Sequence, residues 1–359
     1  MLRLALYITK RFALIWLGTV LGFLVLIGLL DSLANGAEIV GEDGSFADTF
    51  RYMFLRAPVI FDRIFVFTFV VAILLTFVGL IRNHELVALL GFGISVPRQI
   101  LMMVPAVLLL GIASVVAINT ALPPAVRALQ AWGVAEYKQR NVTDDNPLWL
   151  EDERRIVRAA GRPGYDMLSD LELYARTDTG SLKTKTTAET AKFIGDGWEL
   201  NGVETLELAG SDGETRTAVA QSGPSIWSTR QTPDSIARLA AEPRDISLTD
   251  MRSFSEEGNS GSRPSFAYRF WYLHRITRPL AILVLLGCCV AIMQRVGRQD
   301  TGDRALIVGI ATGFLFLIVD GAMATFSASG AVLPWVGIAF PMVVFGLIAG
   351  WLVVRSEAL

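Results

Sequence analysis

The sequence predicts an α-helical membrane protein with six transmembrane helices and an antiparallel β domain inserted between helices 3 and 4. Hydrophobic residues make up 52% of the 359 residues, and six long apolar runs fall into two groups of three on either side of a polar stretch. A membrane-crossing helix needs about 20 apolar residues, which these runs approach or exceed. We therefore divide the chain into an N-terminal membrane half (1–122), an inserted domain (123–270) and a C-terminal membrane half (271–359).

The six apolar runs are the candidate membrane spans. The first is longer than the core of a signal peptide, which has about 7–15 apolar residues, so we expect it to stay in the protein. Pro123 and Pro124 are expected to end the third, because proline lacks the backbone N–H that a helix interior requires. The runs span 12–30, 64–81, 99–122, 279–294 with an extension back towards 270, a segment from 305 onwards, and 331–354.

Basic residues in the short loops predict the orientation, since Lys and Arg are enriched on the cytoplasmic side. With the N-terminus inside, nine basic residues lie in cytoplasmic segments and three in the opposite loops. Both termini and the loop 82–98 are then cytoplasmic, and the inserted domain is exported. The cytoplasmic set is Arg3, Lys10, Arg11, Arg82, Arg98, Arg295, Arg298, Arg304 and Arg355, and the opposite set is Arg51, Arg56 and Arg63.

Alternating apolar and polar residues in the inserted domain predict an antiparallel sheet with one buried face, as in a β-sandwich or jelly roll. Leu171 and Leu173, for example, alternate with polar neighbours. The two cysteines, Cys288 and Cys289, lie in the fourth apolar run, so the domain is expected to fold without disulfides. The predicted strands are 155–160, 168–176, 186–194, 198–208 and 216–228, and helices are expected to begin near 232 and 247.

The chain lacks the motifs of common catalytic sites. Its two histidines, His84 and His274, fall on opposite sides of the membrane in the predicted topology. There is no HExxH motif or Cys/His cluster for a catalytic metal, and no GxxxxGK[ST] loop for ATP. The net charge of −2 gives no basic field for nucleic acid. We expect no enzymatic activity, metal or cofactor in this chain, so that any energy comes from a partner.

The loop 82–98 is the sharpest local signal. It begins with polar residues, including His84 and Glu85, and continues with Leu86, Leu89 and Leu90 on one stripe of a short helix. Such a helix suits docking into a partner's groove. It equally suits a helix that lies on lipid headgroups, and the spacing does not decide between the two.

Two acidic residues stand in or beside the apolar runs. Asp320 lies inside the fifth run and Asp31 at the outer end of the first. Ionisable residues in membrane helices commonly face a cavity or a partner, which indicates a functional site. The alternative is that both carboxylates reach the aqueous interface.

A basic group precedes the fourth run. Arginine pairs well with phosphate, so these residues are candidates for contacts with a phosphorylated ligand. The alternative is an interfacial anchor, in which Trp271 and Tyr272 form an aromatic belt. The candidate residues are Arg263, Arg269, Arg275 and Arg278, with His274 among them.

The segment Arg82-Asn83-His84-Glu85-Leu86-Val87-Ala88-Leu89, followed by Gly93-Ile94-Ser95, resembles the "SELVALRAAGIS"-type loop of the lipopolysaccharide export permeases, the LptF/LptG family. The likeness continues through the chain, and its details are most similar to the LptG branch. One departure is 90–92, Leu-Gly-Phe, where the family often has Arg-Ala-Ala and hence a positive charge. The other similar segments are 29–31, 198–205, 232–233, 243–248 and 272–281.

The resemblance implies a permease in the bacterial inner membrane with a periplasmic β-jelly-roll domain and cytoplasmic termini. It implies a heterodimer with a paralogous permease, a cytoplasmic ATPase dimer that binds the ATP, a single-span periplasmic bridge protein of the LptC type, and lipopolysaccharide as cargo. The loop helix would enter a groove of the ATPase, with Glu85 as the charged contact. Spans 1 and 5 would form a lateral gate that holds Asp31 and Asp320. The alternatives are an LptF-type subunit of the same transporter or a non-transporting assembly scaffold.

Overall fold

The structure is a computed structural model that describes residues 2–40, 46–137, 147–152, 155–161, 166–177, 182–207, 225–229, 231–256, 263–296 and 303–357. The helices are α1 (Leu2–Ala34), α2 (Gly36–Val40), α3 (Phe46–Arg82), α4 (Glu85–Gly91), α5 (Val96–Trp132), α6 (Pro233–Ala240), α7 (Leu248–Glu256), α8 (Ser265–Val296), α9 (Asp303–Ala328) and α10 (Pro334–Glu357). The strands are β1 (Leu148–Asp152), β2 (Arg155–Gly161), β3 (Met167–Arg176), β4 (Leu182–Phe193), β5 (Trp198–Glu207) and β6 (Ser225–Trp227).

Six of the described helices, α1, α3, α5, α8, α9 and α10, are long and apolar enough to cross a membrane, which confirms the predicted number. Most extend beyond the apolar runs, because the flanking polar residues continue the helix. The helix itself does not end at Pro123 and Pro124, since α5 continues to Trp132. Proline removes a backbone donor, but its fixed φ is close to the helical value and therefore does not by itself stop the helix.

The described chain forms two compact units. The first comprises Met1–Ala34, Arg56–Ala121 and Arg269–Leu359 and contains most of the apolar helical length. The second comprises Asn35–Leu55 and Leu122–Tyr268 and contains the sheet.

Helices α3 and α8 form the interior of the first unit. In each of them, 67% of the most apolar window is buried, against 11% for α1 and 17% for α9. Aromatic side chains fill the space beside α3, with the rings of Trp16 and Phe69 centred 5.0 Å apart. The free thiols of Cys288 and Cys289 are buried in α8.

Glycine lets α9 approach α3 closely. A methyl group added at Gly309 would overlap the side chain of Leu74, and one at Gly313 would lie 2.7 Å from Cγ1 of Val70. On α1, a methyl group at Gly18 or Gly22 would meet nothing within 4 Å. Small residues permit close helix packing in membranes. Gly309 and Gly313 of α9 therefore serve contacts inside this chain.

The second unit contains a six-stranded antiparallel sheet in the order β1-β2-β3-β4-β5-β6. The antiparallel sheet is as predicted and is consistent with a jelly-roll-like domain. The sequence missed β1, and of the predicted strand 216–228 the structure shows β6, while 216–224 lie outside the described residues. Trp198 and Trp227 lie in the core, where their indole N–H groups donate to the carbonyl of Gln231 at 2.8 Å and to Asp152 at 3.1 Å.

The alternation of buried and exposed residues is interrupted at one position in β3 and at one position in β5. Leu168 and Leu171 of β3 are both buried although they are three residues apart, because Asp170 between them adopts a φ of +49°. In β5, Gly202 has a φ of +66°, and a methyl group there would lie 2.7 Å from Cγ of Glu189 in β4. Only glycine adopts this conformation without strain while leaving room for the neighbouring strand.

Candidate functional site

The loop between α3 and α5 has a defined structure. Helix α3 ends at Arg82, and His84 turns the chain with a φ of +58° so that α4 begins at Glu85. Helix α4 ends at Gly91 and is followed by a left-handed glycine, Gly93 (φ +74°), and the N–H of Ile94 donates to the carbonyl of Leu89 at 3.1 Å. This is the Schellman pattern, in which a glycine satisfies the last carbonyls of a helix. The sequence therefore encodes both ends of the predicted loop helix.

The carboxylate of Glu85 is hydrogen-bonded by other residues of this chain. Its Oε1 atom accepts hydrogen bonds from the hydroxyl of Tyr7 at 3.2 Å, from Nη1 of Arg11 at 3.2 Å and from Nδ2 of Asn83 at 3.4 Å. Arg11 also lies 3.4 Å from Oε2. The side chains of Arg11 and Glu85 are 22% and 32% exposed. Two residues of α1 thus contact the residue for which we predicted contact with a partner.

The apolar stripe of α4 faces its own chain. Leu86 and Leu89 are only 3% and 6% exposed, whereas Val87 and Phe92 are 68% and 82% exposed. The side chain of Leu90, the third leucine of the predicted stripe, lies outside the described residues. The two described leucines of the predicted stripe are therefore covered by their own chain. Among the described side chains of the loop, the large exposed apolar ones are Val87 and Phe92, and the side chain of His84 is also exposed.

A buried amide pair holds the far end of the loop. Nε2 of Gln99 donates to the carbonyl of Ile94 at 3.2 Å, and Nε2 of Gln294 donates to Oε1 of Gln99 at 2.6 Å. Both glutamines are at least 98% buried. The sequence analysis missed this pair. The available signal was that Gln99 begins the third apolar run and Gln294 ends the fourth.

The two predicted gate acids each contact a basic side chain of a more buried helix. Oδ2 of Asp31 on α1 accepts from Nε of Arg56 on α3 at 2.9 Å. Oδ2 of Asp320 on α9 lies 3.0 Å from Nε2 of His274 on α8. The structure therefore brings each acid into an interhelical pair, and the sequence analysis predicted neither pair.

The His274 ring is held between aromatic neighbours. Its centroid lies 5.3 Å from that of Phe270 and 5.5 Å from that of Trp271. The Nδ1 atom of His274 is buried and has no hydrogen-bond partner among the described residues. The Nε2 contact to Asp320 thus supplies the ring's polar interaction.

The basic residues of α8 differ in exposure. Arg275 and Arg278 are buried, and Arg269 is exposed, as is Arg263 just before the helix. The guanidinium of Arg278 forms an ion pair with Asp62 of α3, with the two side chains only 4% and 1% exposed. Asp62 was missed, although its position directly before the second apolar run was the available signal. The four arginines thus do not form one exposed cluster.

The outer face of the sheet has a smaller polar cluster. Glu172 accepts hydrogen bonds from Tyr174 at 2.6 Å and from Lys185 at 3.0 Å. The hydrogen bond from Tyr174, followed by that from Lys185, lowers the pKa of Glu172. The same contact with Glu172 raises the pKa of both Tyr174 and Lys185. Within the described residues, no group of three or more His, Cys, Asp or Glu side chains could hold a metal ion.

Comparison with known proteins identifies the family. The family model described as "Lipopolysaccharide export system permease LptF/LptG" matches residues 6–355. The chain is 24% identical over 212 residues to the lipopolysaccharide export system permease protein LptG of Escherichia coli strain K12, with 58% of each chain covered. It is 22% identical over 218 residues to the protein of the same name from Haemophilus influenzae, with 59% of each covered.

These alignments span somewhat more than half the length of the curated relatives, while the family model spans both groups of apolar helices and the sheet between them. The name of the relatives supports the LptG-like branch that the sequence resembled. The chain belongs to the LptF/LptG family of lipopolysaccharide export system permeases.

Proposed function

We propose that this chain is a transmembrane subunit of an ATP-driven transporter that extracts lipopolysaccharide from the inner membrane and passes it to a periplasmic bridge. The observation that carries the proposal is the family match over residues 6–355, which includes all six candidate membrane helices and the sheet. In this proposal the chain moves lipid mechanically. A partner subunit binds and hydrolyses the ATP, and this chain needs no cofactor of its own.

The loop 82–98 is the proposed contact with the ATPase. Val87 and Phe92 are the large apolar side chains that the described part of the loop exposes, and His84 is also exposed, so we assign the docking contact to them. The buried residues Leu86 and Leu89 act differently, because they fix α4 to its own chain and keep the exposed side chains in place.

The orientation follows from the basic residues. We place both termini and the loop 82–98 in the cytoplasm and the sheet in the periplasm, because nine basic residues then lie inside. The proposed partners are a paralogous permease, a dimer of the ATPase and an LptC-type bridge protein.

The proposed lateral gate is formed by α1 and α9. These are the least buried of the six candidate spans, so their apolar surfaces are available to lipid or to the partner permease. Asp31 and Asp320 lie on these helices and are each paired with an inner helix. We propose that the two pairs hold the gate helices in their resting position.

Contacts with lipid phosphate are proposed for Arg263 and Arg269, whose side chains are exposed. Arg278 is assigned a structural role, because its buried guanidinium is paired with Asp62. Arg275 is also buried and is therefore unsuited to a ligand that approaches from solvent.

The test is ATP-dependent release of labelled lipopolysaccharide from vesicles that contain the chain, its partner permease and the ATPase. We expect the native complex to release lipid and Phe92→Ala to lose ATPase association. The matched control is Leu101→Ala, which truncates another exposed apolar residue outside α4 and should keep the ATPase. Absence of release from a complex that hydrolyses ATP would contradict the transport function. Undiminished ATPase association after deletion of 83–95 would contradict the role of the loop.

A further inference from the structure

We propose that Arg11 is a positioning residue that ties the loop helix α4 to α1, so that Glu85 acts through Arg11 inside this chain. The inference rests on the proposed function and adds a route by which movement of the loop reaches the membrane. The loop receives the force, the Arg11–Glu85 pair transmits it, and α1 is the element that moves.

The contacts around Glu85 carry the proposal. Arg11 and Tyr7 are one helical turn apart on α1, and both contact the Oε1 atom of Glu85 at 3.2 Å. Arg11 also donates to the hydroxyl of Tyr7 at 3.2 Å. The three side chains thus form a closed set of hydrogen bonds, which fixes the direction of the carboxylate more firmly than one ion pair would.

The packing of α3 supports the same role. The guanidinium of Arg11 lies against Gly79, and a methyl group added there would overlap it. Among the described residues of α3, Gly79 is the sole glycine, and it stands where the arginine passes. The arginine is thus held between α3 and the first turn of α4, which restricts its side chain to the geometry that reaches Glu85.

The two ends of the loop differ in how they are held. At the far end, the buried Gln99 and Gln294 fix Ile94 to α5 and α8. At the near end, Glu85 is held to α1 through side chains that are partly exposed. A force applied at Val87 and Phe92, between these two attachments, therefore acts on α1, the least buried of the six candidate spans.

This arrangement gives Glu85 a different role from a direct contact with the ATPase. Glu85→Arg would place two positive charges together and push Arg11 away from α4, even if no partner touched residue 85. A direct contact would instead require the negative charge at residue 85 itself. An exchange of the two charges separates these roles, because it preserves the internal pair and reverses the charge at 85.

The test measures lipid released per ATP hydrolysed in the reconstituted transporter. We expect Arg11→Ala and Glu85→Arg each to lower this ratio about fivefold, the smaller end of the usual range for coupling between sites, while ATPase association is retained. The double variant Arg11→Glu/Glu85→Arg should restore most of the ratio. Gly79→Ala should lower it without changing any charge, whereas the control Gly350→Ala, where a methyl group meets nothing within 4 Å, should not.

Two results of the transport assay would overturn the proposal. One is a native ratio in both Arg11→Ala and Gly79→Ala, and the other is a double charge variant as impaired as Glu85→Arg alone. A double-mutant cycle of Arg11→Ala and Glu85→Ala on melting temperature needs no lipid, and additive effects there would also overturn the pair. A native complex that hydrolyses ATP but releases no lipid would contradict the proposed function instead. The double-mutant cycle on melting temperature would then still test the Arg11–Glu85 pair.

Discussion

The two inner helices, α3 and α8, differ sharply from the two outer helices, α1 and α9. The inner pair is 67% buried in its most apolar windows, and the outer pair is 11% and 17% buried. The ion pairs follow the same division. Asp62 and Arg278 join the inner helices and are almost fully buried, whereas Asp31–Arg56 and Asp320–His274 join an outer helix to an inner one and are more exposed.

This difference indicates which parts of the helical unit can move. Breaking a buried pair leaves an uncompensated charge in the interior and costs about 3–5 kcal/mol. The Asp31–Arg56 and Asp320–His274 pairs are only partly buried, so breaking one of them leaves a less completely desolvated charge and costs less, about 1–2 kcal/mol. We infer that α3 and α8 form a fixed frame, and that α1 and α9 can separate from it at a lower cost in free energy.

The largest expected effect comes from breaking the inner ion pair. Asp62→Leu should destabilise the protein by about 3–5 kcal/mol, because Arg278 would remain buried and charged. The melting temperature of the purified chain in detergent measures this. The double variant Asp62→Leu/Arg278→Met removes both charges and should recover most of the loss. If Asp62→Leu melts at the native temperature, the pair is not part of a buried frame.

The close approach of α9 to α3 should give the next largest effect. Gly313→Ala forces a methyl group to within 2.7 Å of Val70, and overpacking of this kind costs about 1–3 kcal/mol. Gly321→Ala is the matched control on the same helix, since a methyl group there meets nothing within 4 Å. Equal melting temperatures for the two variants would show that α9 does not pack against α3 at Gly313.

The His274–Asp320 pair should contribute less to stability than the inner pair. Asp320→Asn keeps the shape of the side chain and removes its charge, so we expect a loss of about 1–2 kcal/mol. The melting temperature of this variant is compared with that of Asp62→Asn under the same conditions. A larger loss for Asp320→Asn than for Asp62→Asn would reverse the proposed division between frame and outer helices.

The smallest expected effect concerns Glu172 and Tyr174 on the outer face of the sheet. It compares the ion pairs of the helices with a hydrogen-bonded pair near water. Because the pKa of Glu172 is lowered in the folded protein, its contribution to stability is present above the unfolded pKa of about 4.3 and is lost as pH falls through the folded pKa. Tyr174→Phe removes the largest cause of that shift and should destabilise by about 0.5 kcal/mol at pH 7. Melting curves at pH 7 and pH 3 check this, and a gap from the native protein that widens at pH 3 would contradict it.

The sequence predicted the six helices because apolar length is a local property, but it did not predict which helices are inner. The partners Asp62 and Arg278 are 216 positions apart, and nothing in either local segment indicates the other. The stripe of Leu86 and Leu89 was visible from its spacing, yet spacing does not say whether the same chain or a partner covers it.

In the sheet, β3 and β5 were predicted from their alternation, whereas the short strand β1 was missed. Gly202 inside β5 was the available signal for the break in alternation, since glycine in a strand interior often marks such a site.

The most direct test of the fixed frame and movable outer helices is a distance measurement between spin labels in the proposed transporter complex, with and without ATP bound. Cys288 and Cys289 are replaced by alanine, and labels are placed at exposed positions: Leu21 on α1, Leu75 on α3 and Leu280 on α8. We predict that ATP changes the Leu21–Leu280 distance and leaves the Leu75–Leu280 distance constant. A change in the Leu75–Leu280 distance with a constant Leu21–Leu280 distance would contradict this account.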